Sequence, residues 1–189
     1  MRGRRVAILR AMHPKDEPVT IEAYSEEWQE RYRVERRALL GALAGTIVGL
    51  EHIGSTSIPG LAAKPTVDLM LGTLAWPWPD AYDATLATLG YNHYKTPAED
   101  GRWRVYLKPW EGRQRGYHLH VVEHDSEHWL SHLLFRDFLR DHIAEAKRYE
   151  ALKLELARNF ANDRTAYQEG KSQLIAELTR SAEEWARGR

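Results

Sequence analysis

The 189-residue sequence has no cysteine. Disulfides, thiolate zinc sites and cysteine nucleophiles are therefore excluded, and a cytoplasmic setting is the expectation that fits. Net charge is lacking too, since 27 Lys and Arg balance 27 Asp and Glu. A protein that coats nucleic acid carries a basic excess, so no sequence-specific nucleic-acid partner is expected. No apolar run reaches the length of a membrane helix, which argues against a membrane partner. Near the start, the apolar stretch Val6 to Leu9 is too short for the core of a signal peptide, and residues 1–17 are expected to be a flexible arm. What is present is an ordinary globular composition, 43% hydrophobic and 29% charged. That suits one domain, 18–189, with a sizeable core.

Strands are expected first and helices last. VTIEA (19–23) reads as a short strand, and 26–44 as an amphipathic helix carrying Trp28, Tyr32, Leu39 and Leu43 at helical spacing. TIVGL (46–50) and TVDLML (66–71) read as buried strands, and Asp80 to Leu89 as a helix closed by Gly90. RWRVYLKPW (102–110) and YHLHVVE (117–123) form a hairpin joined by the turn EGRQRG. From Ser126 onward the pattern is helical, with breaks near 139–141 and 162–163. In the helix 141–161, Ile143, Tyr149, Leu152, Leu156 and Phe160 are core candidates. The fold class is α+β, sheet-rich over 18–124 and helical over 125–189.

The segment from Glu51 to Met70 carries the chemistry. Gly54 permits a close backbone turn. Ser55, Thr56 and Ser57 add hydroxyls beside free backbone amides, a set that suits phosphate oxygens. Lys64 adds a positive charge. Asp68 falls in mid-strand, where a carboxylate is costly unless paired, hydrogen-bonded or metal-bound. The plainer reading of a lone Gly-Ser pair is a tight connection. The whole run HIGSTSIPGLAAKPTVDLM, with HLHV (118–121) and FRDFLR (135–140), resembles the GrpB family, also called UPF0157, from about Val19 to Leu178.

That resemblance implies a nucleotidyltransferase-like mixed sheet flanked by helices. It also implies the motif Gly-Ser, a spacer, then Asp-x-Asp on a strand. Gly54, Ser55 and Asp68 follow that order, but Met70 occupies the slot of the second carboxylate. Two-metal phosphoryl transfer needs several carboxylates. His118 and His120, which share a strand face, are expected to stand beside Asp68 and to complete a site for a divalent metal (Mg, Mn or Zn) or to move a proton. Arg102 and Arg104 are expected on that same open face, as anion-binding residues. Arg113 and Arg115 read as a solvated hairpin tip. His124, His128 and His132 recur every fourth residue, but His124 precedes the helix cap and surface positions are expected. Tyr167, Leu174, Leu178 and Trp185 form the stripe of one last helix, with Lys171 a turn after Tyr167. This Tyr-x3-Lys pair resembles a recurring feature of the family, and both residues are binding candidates.

The expected activity is handling of a nucleotide or another small anionic phosphate ligand, possible nucleotidyl transfer with an atypical metal site. The alternative is a non-catalytic accessory module with a protein partner, which is implied by similar domains fused to dephospho-CoA kinase.

Overall fold

The computed structural model describes residues 17–95, 101 and 103–188. Arg102 and most of the expected N-terminal arm lie outside these residues.

Helix α1 (Glu27–Ala42) opens with Glu27 and Glu30 in its first turn, where the helix dipole favours acidic groups. Strands β1 (Ile47–Ile53) and β2 (Val67–Thr73) follow, separated by the Gly54 turn and a short 3-10 segment, Ser55–Ser57. Then come α2 (Ala81–Thr88), β3 (Asn92–His93), β4 (Trp103–Trp110) and β5 (Arg113–Glu123). Four helices close the chain: α3 (Glu127–Asp141), α4 (Ile143–Asn159), α5 (Arg164–Gly170) and α6 (Ser172–Arg187). The strands form one mixed sheet in the order β1-β2-β5-β4-β3. The β2–β5 pair is parallel; the other pairs are antiparallel.

Both faces of the sheet are covered by helices. Val67, Leu69 and Leu71 pair in register with Tyr117, Leu119 and Val121. Together they pack against Trp28, Leu39 and Leu86 from α1 and α2. The intervening residues Asp68 and Met70 pair with His118 and His120 and face the other way. At one end of that second face, Trp129 of α3 lies on Gly49 and Gly72, where a Cβ at either glycine would collide with the indole. Ile53, Met70 and Val122 complete this cluster. A further core of Phe138, Leu139, Tyr149, Leu174 and Leu178 joins α3, α4 and α6 to Ile58 and Leu61.

Several local expectations are corrected. VTIEA makes an isolated bridge, Glu22 to Ala63, instead of a strand. The six-residue hairpin turn is a two-residue one, with Trp110 paired to Arg113 around Glu111 (φ 45°) and Gly112 (φ 79°). Both φ angles are positive, as the tightest hairpin turns require. The single last helix breaks at Lys171 into α5 and α6. Ile143, expected in the core, is 73% exposed, and Phe160 is also exposed.

The hairpin face is the consequential correction. Val105 pairs with His120 and Leu107 with His118, while Arg104 pairs with Val121. Arg104 therefore lies on the α1–α2 face, away from the histidines. Since helices bury both faces, the alternation could not tell which apolar set of β4 goes with which set of β5. A one-residue choice of register exchanges every side chain.

Candidate functional site

The site is built where β2 and β5 run parallel. Gly54 turns the chain at φ 70° against the start of β2, and a Cβ there would overlap the Asp68 carboxylate. The Asp68 Oδ1 accepts a hydrogen bond from His118 Nδ1 at 2.9 Å, and His120 Nε2 stands 4.0 Å from the same oxygen. Each of the three residues offers a ligand atom within 4.8 Å of the others. Among the described residues, the buried His118 Nε2 has no hydrogen-bond partner.

Electrostatics keeps this cluster in a defined state. Burial works to raise the Asp68 carboxyl, but the His118 hydrogen bond and the charges around it prevail, so its pKa is lowered. Burial lowers the pKa of His118 despite its bond to Asp68, and pushes His120 down to about 4. At neutral pH the arrangement is a carboxylate beside two neutral imidazoles, the ligand form of each group. Met70 is fully buried against Ile53 and Trp129. The slot of a second carboxylate is thus part of the apolar core. One carboxylate and two imidazoles suit a borderline ion such as zinc better than magnesium, which demands hard oxygen ligands.

In front of Asp68 lies a cleft of about 160 Å³, lined among others by Gly54, Ser55, Thr66, His118 and three lysines, Lys64, Lys153 and Lys171. The lysines come from separate elements: the loop before β2, helix α4, and the α5–α6 junction. Burial pushes Lys64 and Lys153 down to about 7 and Lys171 to about 8, and lysine neighbours deepen the effect at Lys64 and Lys153. Lys153 donates to the Ala62 carbonyl at 2.6 Å. Its ammonium lies 4.8 Å over the Tyr149 ring, as that of Lys171 lies 4.6 Å over Tyr167. Each pair is a Tyr-x3-Lys on a helical turn.

The structure thus brings together Gly54, Ser55, Thr56, Lys64, Asp68, His118, Tyr167 and Lys171 around one cleft, with His120 beside Asp68. It separates others. The Ser57 hydroxyl donates to the Gly54 carbonyl at 2.6 Å and is wholly buried, a brace for the turn. Thr56 lines the cleft, but its hydroxyl is already engaged, donating to the Thr66 carbonyl at 3.0 Å and meeting His52 Nε2 at 3.1 Å. Arg104 is bound to Asp80 at 3.0 Å and Asp83 at 3.3 Å on the far face.

Sequence reasoning missed Lys153 and Tyr149. The signal was available, because Tyr149 and Lys153 repeat the spacing of Tyr167 and Lys171. The core stripe of α4 drew attention to the tyrosine and not to its partner. His132, expected at the surface, is exposed there, with its ring 6.3 Å from that of His120.

A family model described as "GrpB protein" matches residues 18–181. The chain belongs to the GrpB family. Among curated GrpB relatives, the UPF0157 protein YqkA of Bacillus subtilis is 34% identical over 94% of this chain and 51% of its own length. The chain therefore spans about half of YqkA. The glutamate-rich protein GrpB of Alkalihalophilus pseudofirmus is 30% identical, covering 85% of this chain and 93% of the relative. A crystal structure of conserved protein GrpB from Enterococcus faecalis superposes with a TM-score of 0.80 at 30% identity, over 88% of this chain and 99% of that one. That match establishes the GrpB fold expected from sequence, α+β with a mixed sheet and a helical C-terminal region. Chains of the Cid1 poly(U) polymerase align more loosely, one at a TM-score of 0.49 and 11% identity over 79% of this chain. Among the described residues, no helix is long and apolar enough to cross a membrane.

Proposed function

We propose that this chain binds the phosphate chain of a nucleotide in the lysine-lined cleft and supports nucleotidyl or related phosphoryl transfer beside Asp68. One observation carries the reading: three lysines from separate elements converge on a cleft that contains a single carboxylate. Burying that much like charge is costly without an anion to offset it. Lys64, Lys153 and Lys171 would meet phosphate oxygens, while Ser55 and the Gly54 turn line the floor. Asp68, His118 and His120 would hold a divalent ion, which when bound supplies charge neutralisation at a phosphoryl oxygen. In the absence of direct ligation, His118, its Nδ1–H held by Asp68, has Nε2 available to receive a proton from an acceptor hydroxyl.

The test is a thermal-shift screen of nucleoside triphosphates with manganese, zinc or magnesium. A ligand present at a hundredfold excess over its Kd stabilises the chain by about 2.7 kcal/mol. A shift that disappears in Lys171→Met supports the assignment. No shift with any nucleotide would sink it.

The burial of Met70 favours a second reading, a non-catalytic module with a protein partner. On that reading nucleotides bind, yet Asp68→Asn leaves any turnover at the level of the unmutated chain.

A further inference from the structure

Two arginines stand next to the lysine cleft with buried donor groups that no acceptor fills. Arg115 and Arg164 line a second cleft of about 410 Å³ together with Tyr94, Thr165, Gln168 and two exposed carboxylates, Asp163 and Glu169. Gln168 also lines the lysine cleft, so the two are contiguous. Arg115 is only 9% exposed. Its guanidinium lies 4.9 Å from the centre of the Tyr94 ring, and its backbone carbonyl is held by the Thr66 hydroxyl at 2.9 Å. The position is fixed from both sides.

Three donors of these side chains are unfilled. Arg115 Nε, Arg164 Nε and Arg164 Nη1 are buried and lack hydrogen-bond partners among the described residues. Arg164 Nη2 reaches Glu17 at 3.6 Å. The nearby Asp163 carboxylate is engaged in capping α5, accepting from the Ala166 amide at 3.0 Å. Elsewhere the buried guanidiniums are satisfied. Arg31 donates to the Gly116 carbonyl at 2.8 Å, and Arg136 donates to Glu51 at 2.7 Å and to Asp137 at 2.7 Å. A guanidinium cannot shed its proton to escape burial, so its remedy is an acceptor. Two neighbouring guanidiniums with three open donors between them match the oxygens of a phosphoryl group.

We infer that Arg115 and Arg164 form a second phosphate subsite, contiguous with the lysine cleft, and that the ligand carries two separate phosphoryl groups. This rests on the reading of the lysine cleft given above. It narrows the substrate class to compounds with a phosphate chain at one end and a further phosphate at the other, or to a phosphorylated donor and acceptor held side by side.

Titration calorimetry on the full chain tests it with two probes. Pyrophosphate first saturates the lysine cleft; inorganic phosphate is then added. One equivalent of phosphate is expected to bind the saturated chain. Arg164→Gln and Arg115→Gln each weaken that phosphate by about tenfold and leave pyrophosphate unchanged, whereas Lys171→Met does the reverse. Arg164→Lys, which keeps the charge and loses the fork, gives an intermediate loss and guards against a variant that fails to fold. Absence of phosphate binding to the saturated chain, or binding that neither arginine variant weakens, overturns the inference. Equal competition by acetate overturns its phosphoryl part. If pyrophosphate fails to bind while arginine-dependent phosphate binding persists, the lysine-cleft reading falls and the subsite stands.

Discussion

On the α1–α2 side of the sheet, Lys108 ends on both oxygens of Glu35, at 2.8 and 2.9 Å, and Arg104 ends on Asp80 and Asp83. On the other side, Lys64, Lys153 and Lys171 share a cleft with Asp68 alone for a carboxylate. The same strands support both faces. Where cations are matched by acceptors, they serve the fold. Where they outnumber them, folding is being worked against, and that surplus is what supports the proposed anion site. On that proposal the difference separates structural from binding lysines without reference to any relative.

Exchanging one lysine on each face should break or sharpen this contrast. Lys108→Met leaves Glu35, 3% exposed, as a buried charge without its partner. The expected cost is about 3 kcal/mol, read by urea denaturation. Lys171→Met should leave stability equal or slightly higher, because it relieves repulsion, while nucleotide affinity falls by about tenfold or more. Similar losses of stability in the two variants would end the distinction.

Gly54→Ala is the next largest perturbation. The residue sits at φ 70° and its new methyl would displace the Asp68 carboxylate. A cost of about 1–3 kcal/mol is expected, together with weaker uptake of added zinc than by the unmutated chain.

The response to pH should also differ between the faces. Lys64 and Lys153 have their pKa lowered from an ordinary 10.5 to about 7 in the folded chain. Between those values the unfolded chain holds more protons than the folded one, so stability rises with pH across that window. Melting temperature should climb from pH 7 to pH 9 in the ligand-free chain, and Lys153→Met should flatten the slope. Phosphate affinity should fall over the same range as the ammonium charges are lost. The smallest effect is expected from Arg104→Gln. Its partner Asp80 is 88% exposed, so stability should change by less than about 1 kcal/mol and nucleotide affinity should not move.

The central part of the site was legible because it lies in one continuous stretch. Gly54, Ser55 and Asp68 are set by a turn and a strand, and a period of two places Asp68 with His118 and His120 once β2 and β5 are neighbours. Arg104 was misplaced because it required a pairing register across a hairpin whose turn looked six residues long. Glu111, at positive φ without being glycine, concealed the two-residue turn. Lys153 escaped notice because α4 was read for its core stripe, although Tyr149 and Lys153 repeat the spacing of Tyr167 and Lys171; packing of α4 onto Ala62 then holds the ammonium inward. Arg115, taken for part of a solvated tip, is buried because β5 starts earlier than its apolar residues suggest.

The cleft has its carboxylate on the sheet and two of its ammonium groups on the C-terminal helices. The halves are joined around the cleft by Arg140 to the Ser57 carbonyl at 2.9 Å, Arg136 to Glu51 at 2.7 Å, Lys153 to the Ala62 carbonyl at 2.6 Å, and the apolar seam around Leu61 and Tyr149. Like charge gathered along such a seam acts as a wedge when the cleft is empty, and a polyanion would turn the wedge into a clasp. Amide exchange in α4 and α5 should therefore slow on ligand binding far more than exchange in α1.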